Sequence, residues 1–183
     1  MAKSAVPAVL SLRAASTLIA ARRRRLAAHP GSVDVPAGGC SEASHTLIMT
    51  APELWSTEHP YLYKVRTELK VDGRSVDTYY TTTGVRHFKF DARTGFWLNG
   101  KHMKINGVCM HHDLGCLGAA VNVRAIKRQL EILKEMGCNG IRCTHNPPAP
   151  ELLDLCERMG FVGMAEAYPL NRIRLRLLFR PLA

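Results

Sequence analysis

The chain has 183 residues, enough for one ordinary domain or parts of two, and its hydrophobic content of 46% is sufficient to bury a core. Its net charge is +10, yet ten positive charges lie in two acid-free ends, residues 1–33 and 168–183. The 15 acidic and 15 remaining basic residues are intermixed between these ends. Because a nucleic-acid surface needs basic residues clustered on a folded face, this neutral body predicts no nucleic-acid partner.

The cysteines and the ends of the chain give weak information about location. The six cysteines contain no C-x-x-C pair, which favours a reducing compartment and a cytoplasmic protein. No apolar run approaches the roughly 20 residues of a membrane span, so no membrane partner is predicted. Residues 1–33 weakly resemble an organelle transit peptide. We favour the alternative that residues 1–33 are a disordered extension foreign to the fold, because the basic tail 168–183 looks equally foreign.

The first half of the body has the pattern of antiparallel strands. Short strands are predicted at residues 46–49, 61–71, 76–83 and 85–90, with a Pro-bounded connection over 51–60. Asp72-Gly73 supplies the two-residue turn that a hairpin prefers. The sequence therefore predicts the end of an antiparallel β-sandwich.

The second half changes to alternating strands and helices. A hairpin is predicted from 96–98 and 102–108 around Asn99-Gly100. Asn122 is expected to cap a helix that ends at Gly137, and a second helix covers 151–158. Strands are predicted at 138–143 and 161–166. This order predicts a parallel α/β structure, either a barrel or an open doubly wound sheet.

Polar residues follow each predicted parallel strand. In a barrel these positions share the carboxyl rim, where active sites form. A single histidine there is as often a helix cap or a loop contact, but the whole set favours a site. The candidate residues are His111, Asp113, Arg142, His145 and Glu166.

Two other chemistries can be written for the same residues. A zinc site from His111, Asp113, Cys143 and His145 lacks the usual ligand spacings, so no metal is predicted. A Cys143–His145 nucleophile lacks an orienting partner.

The segment NGIRCTHNPPAPELLDLCERMGF, residues 139–161, resembles the signature of glycoside hydrolase family 2, the β-galactosidase group. PELWSTEHPYLYKV (52–65), TGVRHFKF (83–90) and GFWLNGKHMKINGVCMHHDLG (95–115) also match the family in order and spacing. Asn146 stands where tyrosine is commoner, and Cys109 replaces the usual asparagine. The resemblance covers residues 37–167, about seven-tenths of the chain.

The resemblance implies an α/β plus all-β fold in two parts. Residues 34–92 would be the C-terminal part of an immunoglobulin-like sandwich. Residues 93–167 would supply the first three β-strands and two helices of an incomplete (β/α)8 TIM barrel. In the same way it implies that His111 and His145 bind substrate and that Arg142 orients the nucleophile. Asp113 and Glu166 lie at the same rim and are assigned only a supporting role.

The resemblance also implies a reaction, the retaining hydrolysis of terminal β-glycosidic bonds in β-galactosides or related carbohydrates. The two catalytic glutamates of the family lie on later strands, and the acid follows an asparagine; no Asn-Glu pair occurs in these 183 residues. We therefore expect a truncated fragment without catalytic residues and inactive alone. Two alternatives remain: a non-catalytic carbohydrate-binding or complementing fragment, and a targeted or nucleic-acid-associated protein using its Arg-rich ends.

Several properties stay open at this level. The family also includes β-glucuronidases and β-mannosidases, so the preferred sugar is open. The resemblance implies no cofactor in this chain, although a divalent cation serves some full-length members. The oligomeric state is equally open.

Overall fold

The computed structural model describes residues 10–19, 25–36, 38–44 and 46–166, and only the backbone for residues 10–30. The chain divides into two compact units. Unit 1 consists of Met1–Pro52 with Tyr63–Thr83, and unit 2 consists of Glu53–Leu62 with Gly84–Ala183. No described helix is long and apolar enough to cross a lipid bilayer.

Unit 1 contains a four-stranded antiparallel sheet in the order β2-β1-β3-β4. The predicted turn at Asp72-Gly73 is confirmed, with φ of 49° and 78°, and it joins β3 to β4. Nearly every residue of β4 is exposed, so within the described residues no second sheet covers this strand. The strands are β1 (Leu10–Ile19), β2 (Arg25–Val35), β3 (Tyr63–Val71) and β4 (Arg74–Thr83).

The structure corrects two predictions in unit 1. Residues 10–19 and 25–33 lie in strands that pair with each other, and β1 also pairs with β3. The prediction of a disordered extension over 1–33 is therefore wrong for these residues. The prediction relied on their arginine content, whereas their pairing depends on a distant strand. The predicted strand at 46–49 is also wrong: these residues are not in a strand, and Ile48 is 82% exposed. The basic tail 168–183 lies outside the described residues.

Unit 2 begins with a small antiparallel sheet in the order β5-β6-β7. The turn at Asn99-Gly100 is confirmed by positive φ at both residues. However, Phe88–Asp91 pairs with Gly95–Leu98 and not with the sheet of unit 1, so the strand predicted at 85–90 belongs to unit 2 and not to the sandwich. The strands are β5 (Phe88–Asp91), β6 (Gly95–Leu98) and β7 (Lys101–His102).

A three-stranded parallel sheet follows, in the order β10-β9-β8. Consecutive strands are neighbours, as in a barrel, and each successive pair is connected by a helix. Strand β8 starts at Gly107, so the predicted strand over 102–108 is in fact the end of one sheet and the start of another. The elements are β8 (Gly107–Met110), α1 (Val123–Glu135), β9 (Gly140–Cys143), α2 (Pro150–Met159) and β10 (Val162–Met164).

The ends of the helices are those expected from their residues. The Asn122 side chain accepts a hydrogen bond from the amide of Ala125, 3.0 Å away, and so caps α1. Gly160 ends α2 in the left-handed conformation, φ 73°. Both helices cover the parallel sheet with a buried apolar cluster: Ile126, Leu130, Ile141, Cys143, Leu155, Cys156 and Phe161.

Residues 53–62 belong to unit 2 through a second apolar cluster. Trp55, 2% exposed, packs with Phe96 and Leu98, and its indole N–H donates to the carbonyl of Glu157, 2.8 Å away. The Lys134 ammonium donates to two carbonyls, those of Thr57 at 2.9 Å and Gly160 at 3.1 Å. This segment, predicted only as a connection, is therefore fixed against α2 and its C-terminal end.

Candidate active site

The parallel register brings the polar residues to one edge of unit 2. Met110 aligns with Cys143, and Arg142 aligns with both Cys109 and Met164. The amide of Thr144 donates to the carbonyl of Met110, 3.0 Å away, which extends the alignment past the strand ends. Residues that directly follow β8, β9 and β10 consequently lie at one rim.

Two histidines meet at this rim. The rings of His111 and His145 have their centroids 5.6 Å apart at an interplanar angle of 67°. Both residues are exposed, and His111 follows β8 while His145 follows β9. Imidazole nitrogens in this position can hydrogen-bond the hydroxyl groups of a ligand. The structure thus brings together the two residues predicted to bind substrate.

A carboxylate links two other predicted residues. Glu166 accepts a hydrogen bond from the Arg142 guanidinium through Oε1, and its Oε2 lies 3.4 Å from Nδ1 of His145. The hydrogen bond and the negative charge of Glu166 raise the pKa of Arg142, and Cys109 adds to the effect. Arg142 is therefore a permanent cation at the rim, held by a fixed anion.

Asp113 has a different environment. Its Oδ1 accepts from the amide of Gly115 at 2.7 Å, and its carbonyl oxygen accepts from the side chain of Gln129 at 3.3 Å. The His112 ring bonds the carbonyl of Ala119, 2.8 Å away, in the same loop. Asp113 thus shapes the loop after β8, and the structure gives it no link to the Arg142–Glu166 pair.

Cys143 is buried in the apolar cluster beneath the rim, with 3% of its surface exposed. Burial raises the pKa of its thiol to about 11, and the charge of Glu166 adds to this. Burial likewise raises the pKa of the Cys156 thiol to about 12. Since the thiolate is the nucleophile, Cys143 is a core residue and the Cys143–His145 alternative is unsupported.

Alkylation tests this assignment of the cysteines. In the folded chain at about pH 8, iodoacetamide is expected to modify the exposed thiols and to spare Cys143 and Cys156, because a buried neutral thiol reacts slowly. In denaturant all should react. Peptide mass spectrometry measures each site, and rapid labelling of Cys143 without denaturant would contradict its burial. The exposed thiols are those of Cys40, Cys109 and Cys116.

Within the described residues, no three His, Cys, Asp or Glu side chains gather closely enough to hold a metal ion. The zinc alternative from His111, Asp113, Cys143 and His145 therefore has no geometric support in this part of the chain.

Sequence reasoning missed two supporting residues. The Asn139 side chain accepts from the amide of Asn106 at 2.8 Å and donates to the carbonyl of Lys104 at 3.0 Å. It thereby fixes the start of β8 beside β9. Cys109 lies opposite Arg142 in the register and contributes to its environment. The parallel register was the signal that would have identified Cys109.

Comparison with protein families places both units. The model described as glycosyl hydrolases family 2, TIM barrel domain, matches residues 91–174, and the model described as glycosyl hydrolases family 2 matches residues 10–86. The second match includes β1 and β2, in agreement with their pairing in the sheet of unit 1.

Individual relatives agree with this assignment. A β-galactosidase of Bacteroides ovatus is 55% identical over 157 residues, which are 86% of this chain and 18% of that protein. A β-glucuronidase of Bacteroides fragilis is 36% identical over 121 residues, 66% of this chain and 17% of that protein. A crystal structure of a family 2 member from Bacteroides cellulosilyticus has a TM-score of 0.83 at 38% identity, covering 87% of this chain and 22% of that one.

The βαβαβ elements of unit 2, with the histidines and arginine at their rim, lie within the stretch that matches the family 2 TIM barrel domain. The chain belongs to glycoside hydrolase family 2. It spans about a fifth of the length of the relatives described above.

Proposed function

We propose that this chain carries part of the sugar-binding rim of a family 2 retaining glycosidase acting on β-galactosides or related carbohydrates. The observation that supports this most directly is the meeting of His111 and His145, with ring centroids 5.6 Å apart, where His145 and Arg142 both contact Glu166. In this proposal the imidazoles bond sugar hydroxyls in the subsite next to the cleaved bond. The relatives named as β-galactosidase and β-glucuronidase support the substrate class.

Arg142 has the role of orienting a carboxylate nucleophile. A guanidinium has five N–H donors, so it can bond Glu166 and a second carboxylate at once. Retaining hydrolysis needs two carboxyl groups about 5 Å apart, one as acid and one as nucleophile. We assign neither role to Glu166, which Arg142 and His145 already engage, and propose that both catalytic glutamates lie outside these residues.

Nuclear magnetic resonance of the histidine rings tests this function on the 183-residue chain. Titration with methyl β-galactoside is expected to move the ring signals of His111 and His145 together, with millimolar affinity because few contacts are available, about −4 kcal/mol. His87 and His102, exposed elsewhere in unit 2, are the internal controls. Methyl β-glucuronide and methyl β-mannoside compare the sugar classes. Unmoved signals of His111 and His145 with all three glycosides would remove the proposal.

A non-catalytic carbohydrate-binding or complementing role is the second candidate, supported by the same rim. The two candidates differ when the remaining barrel of a family 2 relative is supplied as a separate polypeptide. Hydrolysis of a nitrophenyl β-galactoside that appears only with both pieces indicates complementation. Sugar binding without hydrolysis in the mixture indicates a binding role alone.

A further inference from the structure

The Glu166 carboxylate is shared between two groups of the rim. Its Oε1 accepts from Nη2 of Arg142, and its Oε2 lies 3.4 Å from Nδ1 of His145. The Glu166 side chain is 17% exposed, against 42% for Arg142 and 58% for His145. Two more exposed side chains are therefore paired with one carboxylate that lies deeper than either of them.

Stability does not account for this arrangement. Ion pairs with a well-exposed partner contribute about 0–1 kcal/mol, so the contacts of Glu166 with Arg142 and His145 add little to the free energy of folding. The distinguishing feature here is geometric, because each oxygen of one carboxylate faces a different side chain. Such a carboxylate fixes the position of the imidazole relative to the guanidinium.

The contact also distinguishes the two nitrogens of His145. Nδ1 is the nitrogen nearest Glu166, and within residues 46–166 the structure gives Nε2 no hydrogen-bond partner. The contact with Oε2, at 3.4 Å, is an ion-pair contact, and a negative charge beside one ring nitrogen of a neutral imidazole favours the proton on that nitrogen. A carboxylate at Nδ1 therefore favours the Nδ1–H form and leaves Nε2 as an acceptor for a hydroxyl group.

We propose that Glu166 is a positioning residue of the rim, which orients His145 through Nδ1 and Arg142 through Nη2 and so selects Nε2 of His145 as the nitrogen that meets a ligand. The identity of that ligand as a sugar rests on the proposed function, whereas the orientation does not. The His111 ring also contacts His145, and the Arg142 guanidinium is the other partner of Glu166. A guanidinium has donors only, and an imidazole is uncharged when neutral, so Glu166 is the anion that favours a proton on Nδ1.

The unmodified chain provides the first test and an internal control. His59 forms a similar pair with Glu53, but through the other nitrogen, with Nε2 and Oε2 3.0 Å apart. Nitrogen-15 spectra recorded above the titration of both rings are expected to show His145 mainly as Nδ1–H and His59 mainly as Nε2–H. A predominantly Nε2–H His145 would overturn the proposal without any variant being made.

A matched pair of variants provides the second test. Glu166→Ala is expected to abolish the Nδ1–H preference of His145 and to weaken methyl β-galactoside binding about fivefold, the effect of one hydrogen bond. Glu53→Ala should change the spectrum of His59 and leave His145 and sugar binding unaltered. An unchanged His145 tautomer in folded Glu166→Ala contradicts the proposal.

The outcomes separate this inference from the proposed function. If no glycoside binds but His145 is Nδ1–H and responds to Glu166→Ala, the orientation stands and the sugar assignment fails. If glycoside binds while His145 is Nε2–H, the sugar assignment stands and the role of Glu166 fails.

Discussion

Gly160→Ala is expected to lower the free energy of unfolding of unit 2 by roughly 2–5 kcal/mol. Gly160 has φ of 73°, where an L side chain costs about 1–2 kcal/mol. A Cβ atom there would also lie 2.3 Å from the carbonyl oxygen of Thr57 and 2.9 Å from its carbonyl carbon. Because these are backbone atoms, relief requires moving residues 53–62. That movement would disturb the Lys134 ammonium, which donates hydrogen bonds to the carbonyls of both Thr57 and Gly160.

Two other glycines distinguish the cost of a positive φ from the cost of the steric clash. Gly137 has φ of 83°, but a Cβ there meets nothing within 4 Å, so Gly137→Ala should cost only the conformational term. Gly163 has open space and no positive φ, so Gly163→Ala should be nearly neutral. Urea unfolding followed by tryptophan fluorescence reports on unit 2, since Trp55 and Trp97 both lie there. Equal losses for Gly160→Ala and Gly137→Ala would show that Thr57 does not approach Gly160.

Trp55→Ala is expected to be at least as damaging, with a loss of about 3–5 kcal/mol. Its ring is 2% exposed and packs with Phe96 and Leu98, and the Arg86 guanidinium lies 4.6 Å from the ring centroid. Removal leaves a cavity beneath β6 and deprives the carbonyl of Glu157 of its donor. Hydrogen exchange at α2 should accelerate, because Glu157 belongs to that helix.

Trp55→Phe and Trp97→Ala complete the series. The phenyl ring of Trp55→Phe keeps most of the apolar contact but lacks the N–H group, so its loss should be about 1–3 kcal/mol. Trp97 is half-buried and donates to the Thr94 hydroxyl at 2.9 Å, so Trp97→Ala should cost less than Trp55→Ala. Far-UV circular dichroism in urea measures all three variants. A larger loss for Trp97→Ala than for Trp55→Ala would contradict the assignment of the second cluster.

The elements best predicted from the sequence are those whose signals are local. Asn122 and Gly160 mark helix ends through their own backbone preferences, and Asp72-Gly73 and Asn99-Gly100 mark turns in the same way. Strands β1 and β2, whose place in the sheet depends on β3, were not recovered. The pairing of β1 with β3 joins residues about fifty positions apart, and no local pattern specifies it.

The site residues also divide into features that a simple rule predicts and features that it does not. The positions of His111 and His145 follow from the rule that parallel strands end at one rim, and their meeting is observed. The same rule equally suggested Asp113, whose carboxylate instead bonds its own loop. Which rim residues contact one another is decided by side-chain hydrogen bonds and ion pairs. Those contacts are known only from the structure, in which Glu166, 24 positions beyond Arg142, accepts a hydrogen bond from the Arg142 guanidinium.

The path of the chain between the two units restricts how either can be exchanged. The backbone enters unit 2 at Glu53, returns to unit 1 at Tyr63 and leaves again at Gly84. A single cut between Thr83 and Gly84 would therefore leave Trp55 and Thr57 on the fragment that carries unit 1, separated from their contacts in unit 2. Replacing the sheet of unit 1 by that of a relative is a graft with two junctions, which must retain Glu53–Leu62 from the recipient. Recombination at one crossover is expected to give an insoluble product unless both parents share compatible residues on this short interleaved segment.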